Sequence, residues 1–213
     1  MRLLKYSHAC VRVESDAAVL VIDPGVFTEP EALDGVDAVL ITHEHFDHLD
    51  VDKLADALGK RPAVRVFTHP DVVDKLGALD GAITTVNSGD AFEAAGMRIT
   101  AHGGLHAEIH PDVPRVVNLG FVVEGAFYHP GDSFDLPEGV DGIDTVFVPI
   151  SGPWLKLSDS VDFVRALRPR RALALHDCLL SDVGFTVTDG MMGQLSGCDY
   201  ARLAPGEAVT VPS

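Results

Sequence analysis

Four side chains of the types that bind metals stand close together just after an apolar run. His43, His45, Asp47 and His48 fall within six residues, directly behind the apolar stretch 38–41. Imidazole and carboxylate groups are ligands that suit zinc, manganese and iron. The apolar run is typical of a buried strand, and two residues apart on an extended segment His43 and His45 point to the same side. The spacing predicts a metal site where a strand ends, with Asp47 and His48 available to a second metal.

The pattern of this segment is His-x-His-x-Asp-His. It resembles the signature motif of the metallo-β-lactamase fold superfamily. In that superfamily three separated ligands follow the signature, and His106, Asp132 and His176 stand in the right order and surroundings. Segments 7–9 and 19–24 are similar to the opening of the branch that contains lactonases of the ascorbate-phosphate type. The resemblance extends over nearly the whole chain.

This resemblance implies both a fold and a way of holding metal. The implied fold is α/β, a four-layer αββα sandwich, with residues 1–213 as a single domain. Two divalent metal ions are expected, Zn²⁺ before Mn²⁺ or Fe²⁺, because histidine and carboxylate sites accept all three. The resemblance assigns His43, His45 and His106 to one metal, Asp47, His48 and His176 to the other, and Asp132 to both as the bridge.

The implied activity is that of a dinuclear metal-dependent hydrolase. Two metals about 3.5–4 Å apart hold a bridging water and lower its pKa, and the resulting hydroxide attacks a carbonyl or phosphoryl centre. The expected substrate is a small-molecule ester, lactone or phosphoester. Two alternatives are a mononuclear iron-dependent oxygenase or sulfur-metabolism enzyme of the same fold, and a metal-binding protein without turnover. The filled positions Asp47, His48 and His176 count against a mononuclear site. His45 stands where diiron electron-transferring relatives have glutamate, which favours hydrolysis.

Several residues could give a proton to the leaving group. Asp47 is a candidate because its second oxygen can face the water, and His110 and His129 are candidates because each lies close in sequence to a ligand. His129 could instead orient Asp132 through a hydrogen bond, a role that we favour, and His110 could be a loop histidine in solvent. His8 either lines the site or caps a strand.

Substrate contacts are expected from the loops. Phe46, Trp154 and Leu155 are candidates for apolar walls, although Trp154 could equally pack against the edge of the core. Arg115 and Lys156 could anchor an anionic group, but both are more typical of surface charges.

Composition argues against other classes of function. The net charge of −16 repels phosphate backbones, so nucleic acid is not an expected partner. No apolar run approaches the ~20 residues that span a bilayer, and the first residues lack the pattern of a secretory signal. We therefore expect a cytoplasmic protein without a membrane partner. Three cysteines do not provide a disulfide framework, and the choice between monomer and homo-oligomer stays open.

Local signals predict the elements that position these residues. A helix is expected with Asp50 as its cap and Gly59 at its end, and a second helix begins at Pro70. Ser158 is expected to cap a third helix. Residues 102–115 contain glycines and prolines without periodicity, which predicts a long functional loop.

Overall fold

The computed structural model describes residues 1–79 and 83–212. The strands in these ranges are Arg2–Lys5 (β1), Val11–Glu14 (β2), Val19–Ile22 (β3), Ala38–Leu40 (β4), Arg65–Thr68 (β5), Ile83–Thr85 (β6), Ala91–Ala94 (β7), Met97–Leu105 (β8), Val117–Val123 (β9), Phe127–His129 (β10), Thr145–Pro149 (β11), Arg171–Leu175 (β12), Asp199–Ala201 (β13) and Ala208–Thr210 (β14). The α-helices are Val51–Lys60 (α1), Pro70–Leu76 (α2), Leu157–Leu167 (α3) and Asp182–Leu195 (α4), and short 3-10 helices cover Pro30–Leu33 and Gly77–Leu79. None of the helices in the described ranges has the length and hydropathy needed to cross a membrane.

The strands form two seven-stranded mixed sheets. The first sheet has the order β14-β1-β2-β3-β4-β5-β6 and is parallel from β3 to β6. The second has the order β13-β12-β11-β10-β9-β8-β7 and is parallel from β10 to β13. Short antiparallel connections therefore dominate one half of each sheet, and helical crossovers the other.

The two sheets pack face to face, and helices cover their outer faces. Alternation along β3 shows how one strand serves two layers, because Leu20 and Ile22 belong to the core between the sheets whereas Val21 packs with residues of α1 and α2. On the other side, Val161 of α3 and Met192 of α4 pack against the second sheet. This is the αββα sandwich that the resemblance implied, and the expected fold class is confirmed.

The residues with expected metal-binding roles follow strands that end at one edge of the sandwich. His43, His106, Asp132 and His176 come within a few residues of the ends of β4, β8, β10 and β12, respectively. In the second sheet β8, β10 and β12 run in the same direction, since β9 is antiparallel to both of its neighbours. The Leu119 amide of β9 donates to the Thr42 carbonyl at 2.9 Å and joins the two sheets at this edge. Four distant segments thereby meet.

The helix predictions succeed at their beginnings more often than at their ends. The Asp50 side chain caps α1 by accepting from the Lys53 amide at 3.1 Å, and α2 begins at Pro70, as expected. The prediction that Gly59 ends α1 is wrong, because the helix continues to Lys60. The amide of Arg61 still donates to the Ala57 carbonyl at 2.9 Å, so the helical bonding pattern passes through the glycine.

The cap predicted for the third helix is also wrong. Helix α3 begins at Leu157, and its N-cap is Lys156, whose side chain makes no capping bond. Ser158 lies inside the first turn and donates to the Asp159 carboxylate at 3.2 Å. The packing of the apolar face on the second sheet sets where this helix starts, in preference to a serine cap.

The loop predicted over residues 102–115 is shorter than expected. Strand β8 continues to Leu105, and His102 and Leu105 pair with Gly120 and Val117 of β9. Gly103 has a φ of +83° within this strand. Two successive glycines erase the alternation by which a strand is normally recognised, and pairing with β9 overrides their weak propensity. Only the part after Leu105 is a loop.

Gly25 allows the segment after β3 to pack directly on the signature segment 43–48. A Cβ at this position would overlap the Asp47 carbonyl group and lie 2.6 Å from the His48 amide nitrogen. Because these are backbone atoms, we expect Gly25→Ala to lower the free energy of unfolding by about 2 kcal/mol or more in denaturant titrations. Gly59→Ala is the control, since a Cβ there meets nothing within 4 Å and should stabilise α1 by about 0.5–1 kcal/mol. Equal stabilities for the two variants would contradict the close packing.

Candidate metal centre

A first group of four side chains converges at the shared edge of the sheets. Ligand-type atoms of His43, His45, His106 and Asp132 all lie within 4.8 Å of one another. The His43 Nε2 and His45 Nδ1 atoms are 3.1 Å apart, and His106 Nε2 is 3.3 Å from Asp132 Oδ2. Three nitrogens and one oxygen are therefore close enough together to share one metal ion.

A second group lies beside the first and is linked to it by Asp132. It comprises His8, Asp47, His48 and His176, again with ligand-type atoms within 4.8 Å of one another. His48 Nε2 is 3.1 Å from Asp132 Oδ1, and His176 Nε2 is 3.0 Å from Asp132 Oδ2. The Asp132 carboxylate is thus close to both groups.

These groups fit divalent metal ions because several of their buried atoms lack hydrogen-bond partners. Such atoms are His48 Nε2, His106 Nε2, Asp132 Oδ1 and both ring nitrogens of His176. Close approaches among them do not have hydrogen-bond geometry. Buried polar groups without a partner cost free energy, and a cluster of unpaired imidazole and carboxylate lone pairs is the donor set of a zinc, manganese or iron site.

Comparison with known proteins identifies the family. The profile described as the β-lactamase superfamily domain matches residues 2–176. The chain belongs to the β-lactamase superfamily. Protein Rv0786c of Mycobacterium tuberculosis is 32% identical over 216 residues, which cover 99% of this chain and 100% of that protein. A UPF0173 metal-dependent hydrolase of Pyrobaculum arsenaticum is 31% identical and covers 83% of this chain and 84% of its own length.

A solved structure confirms the fold of this superfamily member. Igni18, a metallo hydrolase from the archaeon Ignicoccus hospitalis, superposes with a TM-score of 0.76 and covers 98% of this chain and 97% of its own. Its 19% sequence identity limits the likeness to the fold. Together with the family match, the expectation of a metal-dependent hydrolase of metallo-β-lactamase fold is confirmed at that level.

Asp23 fixes the orientation of two histidines of the superfamily signature. Its Oδ2 atom is 2.7 Å from His48 Nδ1 and accepts from the Thr42 hydroxyl at 2.7 Å, and that hydroxyl is 2.9 Å from His43 Nδ1. With Asp23 accepting, the protons of His48 and His43 reside on Nδ1, so each Nε2 is unprotonated and able to bind a metal. Sequence reasoning included this residue only within segment 19–24 and gave it no role in the site. Its signal was an aspartate directly after a strand, like the expected ligands.

The remaining orienting contacts are made by backbone and amide groups. His106 Nδ1 donates to the Ala107 carbonyl at 2.6 Å, so its Nε2 is also free. The Asp132 amide donates to Asn118 Oδ1 at 2.9 Å, and Asn118 Nδ2 donates to the Pro130 carbonyl at 2.8 Å. Asn118 holds the turn that carries the shared carboxylate. Nothing in its local sequence distinguishes it from other strand residues, so the sequence analysis missed it.

The carboxylates of the centre are held in their charged form. Burial alone would raise the pKa of Asp132, but the neighbouring His48 and His176 lower it well below its usual range. Burial also opposes ionisation of Asp47, yet the neighbouring His176 and a hydrogen bond from His8 lower its pKa strongly. Conversely, burial would lower the pKa of His176, but the Asp132 carboxylate outweighs burial and raises the pKa to about 9. Two ionised carboxylates are therefore available to cations.

The histidines considered as proton donors lie in different surroundings. His129 is buried, with Nε2 2.9 Å from the Ala9 carbonyl and Nδ1 accepting from the Gly131 amide at 3.2 Å. Both of its nitrogens are engaged with backbone, which favours a role in holding the Asp132 turn. His110 is exposed, accepts from the Asp112 amide at 3.1 Å and is absent from the cavity wall. Proton transfer by either residue stays a prediction.

A cavity of about 500 Å³ opens onto both groups. Two of the residues considered for apolar walls, Phe46 and Trp154, line it, whereas Leu155 does not. The Trp154 ring centroid lies 5.6 Å from that of His106 and 5.7 Å from that of His176. The cavity is therefore the place where a substrate would meet the metal-binding atoms.

Neither residue considered as an anion anchor faces this cavity. The Arg115 Nε donates to the His106 carbonyl at 2.7 Å, and its side chain borders neighbouring depressions of the surface. Lys156 is exposed before α3 and is absent from the cavity wall.

Cys178 belongs to neither candidate metal-binding group.

The contacts of Asp23 predict a measurable effect on metal binding. Asp23→Asn keeps the shape of the side chain but removes the carboxylate that orients His48 and, through Thr42, His43. We expect metal affinity to fall about 10–100-fold, as measured by competition with a chromophoric chelator. Asp52→Asn makes the same change at an exposed position of α1 and should leave the affinity unchanged. Unaltered metal affinity in Asp23→Asn would refute the orienting role.

Proposed function

We propose that this member of the β-lactamase superfamily is a dinuclear metal-dependent hydrolase that acts on a small-molecule ester, lactone or phosphoester. One observation carries the proposal: two groups of ligand-type atoms, each from three buried residues and one half-buried residue, meet at a single carboxylate, Asp132. His43, His45 and His106 would hold one ion, and Asp47, His48 and His176 the other. We propose Zn²⁺ as the metal, with Mn²⁺ and Fe²⁺ as alternatives.

The bound ions would supply an ionised water and positive charge opposite the developing oxyanion. The protein's own contribution is orientation. The Asp23 and Ala107 contacts set which imidazole nitrogens are unprotonated, and the Asn118 amide fixes the Asp132 turn. Groups positioned before substrate arrives need no reorganisation during the reaction.

The completeness of the second group supports a dinuclear centre over the mononuclear iron alternative. A site for one iron would leave His48 Nε2 and the ring nitrogens of His176 buried without partners, at a cost of about 1–3 kcal/mol for each unsatisfied group. A second metal would bind His48 Nε2 and one nitrogen of His176 and would offset the part of this cost that those two atoms carry. A different observation opposes a metal-binding protein without turnover. A cavity leads directly to the paired groups, as a substrate would require.

Metal content and turnover test this proposal together. We expect elemental analysis of protein purified without added metal to give about two divalent ions per chain, matching the two groups. The substrate panel contains p-nitrophenyl hexanoate, γ-nonalactone and bis-p-nitrophenyl phosphate. Hydrolysis of at least one member should disappear on chelation and return on readdition of metal. About one iron per chain without hydrolysis of any member would refute the proposal.

Asp132→Ala is the matching variant, because it removes the carboxylate shared by both groups. We expect both metal content and hydrolysis to fall, with kcat reduced about 100-fold or more. Asp135→Ala, a nearby carboxylate outside both groups, serves as the control and should keep its metals. Full activity in Asp132→Ala would exclude the bridging role.

A further inference from the structure

The cavity over the metal-binding groups has a wall of unusual chemical uniformity. Its lining residues outside those groups are apolar with one exception, and the apolar ones are Phe27, Phe46, Ile109, Pro153, Trp154 and Leu179. Phe46 is 64% exposed and Leu179 is 56% exposed. Large apolar side chains left open beside a polar centre indicate a surface that a ligand covers.

The exception is a negative charge. Glu44 borders the cavity, and its Oε1 atom lies 3.6 Å from the Lys75 ammonium. Among the described lining residues there is no lysine or arginine. A substrate with an anionic group away from the metals would lose hydration there without gaining a counter-charge, which is costly. An apolar group would instead gain about 25 cal/mol for each Å² that it buries.

Resting on the proposed function, we infer that the substrates are uncharged carboxylic esters or lactones whose apolar body packs on the Phe46–Trp154–Leu179 wall. Hydrolysis cleaves the bond between the acyl carbon and the ester oxygen. The oxygen of water joins the acyl carbon, one proton of water ends on the alcohol, and the acid product releases the other. No further reactant is needed.

A matched pair of esters tests the substrate class. p-Nitrophenyl hexanoate and mono-p-nitrophenyl adipate share the reacting bond and have similar length, but the adipate carries a terminal carboxylate. We expect kcat/KM to be at least about tenfold higher for the hexanoate than for the adipate. We also expect bis-p-nitrophenyl phosphate to be the poorest substrate of the three. Equal rates for the two esters, or preference for the adipate or the phosphate, would overturn the inference while leaving a metal-dependent hydrolase in place. If none of the substrates showed turnover that a chelator abolishes, the result would instead count against the proposed function.

A charge placed in the wall sharpens this test. Leu179→Lys should raise the adipate-to-hexanoate ratio of kcat/KM by roughly fivefold, because it supplies the missing counter-charge at a partly exposed site. Val187→Lys is the control, since it adds the same charge at a similarly exposed position of α4, outside the cavity. An unchanged ratio in Leu179→Lys, or an equal rise in both variants, would show that the wall does not contact the acyl chain.

The backbone of His8 carries a second and independent inference. His8 is completely buried and has a φ of +63°, a left-handed conformation that is unusual for a residue other than glycine. Its carbonyl accepts from the His176 amide at 3.1 Å, and its Nδ1 accepts from the Cys178 amide at 3.4 Å. Contacts to the strand-end segment after β12 therefore maintain the strained conformation.

The same contacts determine what the His8 ring offers to the metal centre. Because Nδ1 accepts a hydrogen bond, the proton of the neutral ring is on Nε2, which donates to Asp47 Oδ2 at 3.0 Å. The ring also packs on His176, with centroids 3.9 Å apart. Although His8 lies among residues that could hold a metal, it presents a hydrogen to Asp47 and no lone pair to an ion.

We propose that His8 is a positioning residue that holds Asp47 and His176 in place for the second metal and is not itself a ligand. One residue from the start of the chain thus links two ligands that are far apart in sequence. Two substitutions separate its contacts. His8→Asn tolerates the left-handed backbone and keeps an acceptor near the Cys178 amide, but it cannot reach Asp47. His8→Gln places an amide N–H near the position of Nε2.

Metal titration provides a readout that is independent of turnover. In His8→Asn we expect the affinity for the second ion to fall about 10–100-fold while the first ion is retained, as measured by elemental analysis after dialysis against graded chelator. His8→Gln should recover most of the loss, and thermal unfolding of both metal-free variants controls for folding. Unchanged affinity in His8→Asn would refute the positioning role. Failure of His8→Gln to improve on a stably folded His8→Asn would do the same.

Discussion

The structure depends on burying the Asp132 carboxylate among imidazoles whose facing Nε2 atoms have no hydrogen-bond partners. Its oxygens lie 3.0–3.3 Å from nitrogens of His48, His106 and His176. A buried charge is tolerated only when neighbouring groups compensate it, and unpaired nitrogens around it carry a further cost. A protein that retains such a cluster gives up stability at this edge. In the proposed function, divalent cations would offset this cost, because the same lone pairs would become metal ligands.

The architecture of the sandwich allows this concentration of polar groups at one edge. Its apolar layers lie between the sheets and beneath the helices, while the polar groups collect beyond the strand ends. Strand ends are rigid positions, and backbone contacts between the two sheets, such as Leu119 to Thr42, fix them relative to one another. Asp23 then orients the signature histidines and Asn118 holds the Asp132 turn, and both residues lie outside the two candidate metal-binding groups. Rigidity and orientation are supplied by different parts of the chain.

Sequence reasoning succeeded where chemistry is local. The signature segment 43–48 and the helix beginning at Pro70 could be identified because spacing and propensity act over a few residues. It failed where a neighbouring element decides the outcome. The glycines at 103 and 104 belong to a strand because β9 pairs with them, and α3 begins before Ser158 because its apolar face packs on a sheet. No assignment was made for α4, whose glycines at 184, 190 and 193 weaken its helical signal.

The sequence by itself determined the types of side chain and the family resemblance, and the resemblance in turn implied the αββα architecture. The tertiary structure decided which groups are close to one another. It brought His8 to Asp47 across 39 residues and Asn118 to Asp132, and it turned Arg115 and Lys156 away from the cavity. The physical reason is that hydrogen bonds and packing act over a few ångströms in space. The number of residues between two side chains does not tell how close they lie in space, because the formation of the sheets decides that distance.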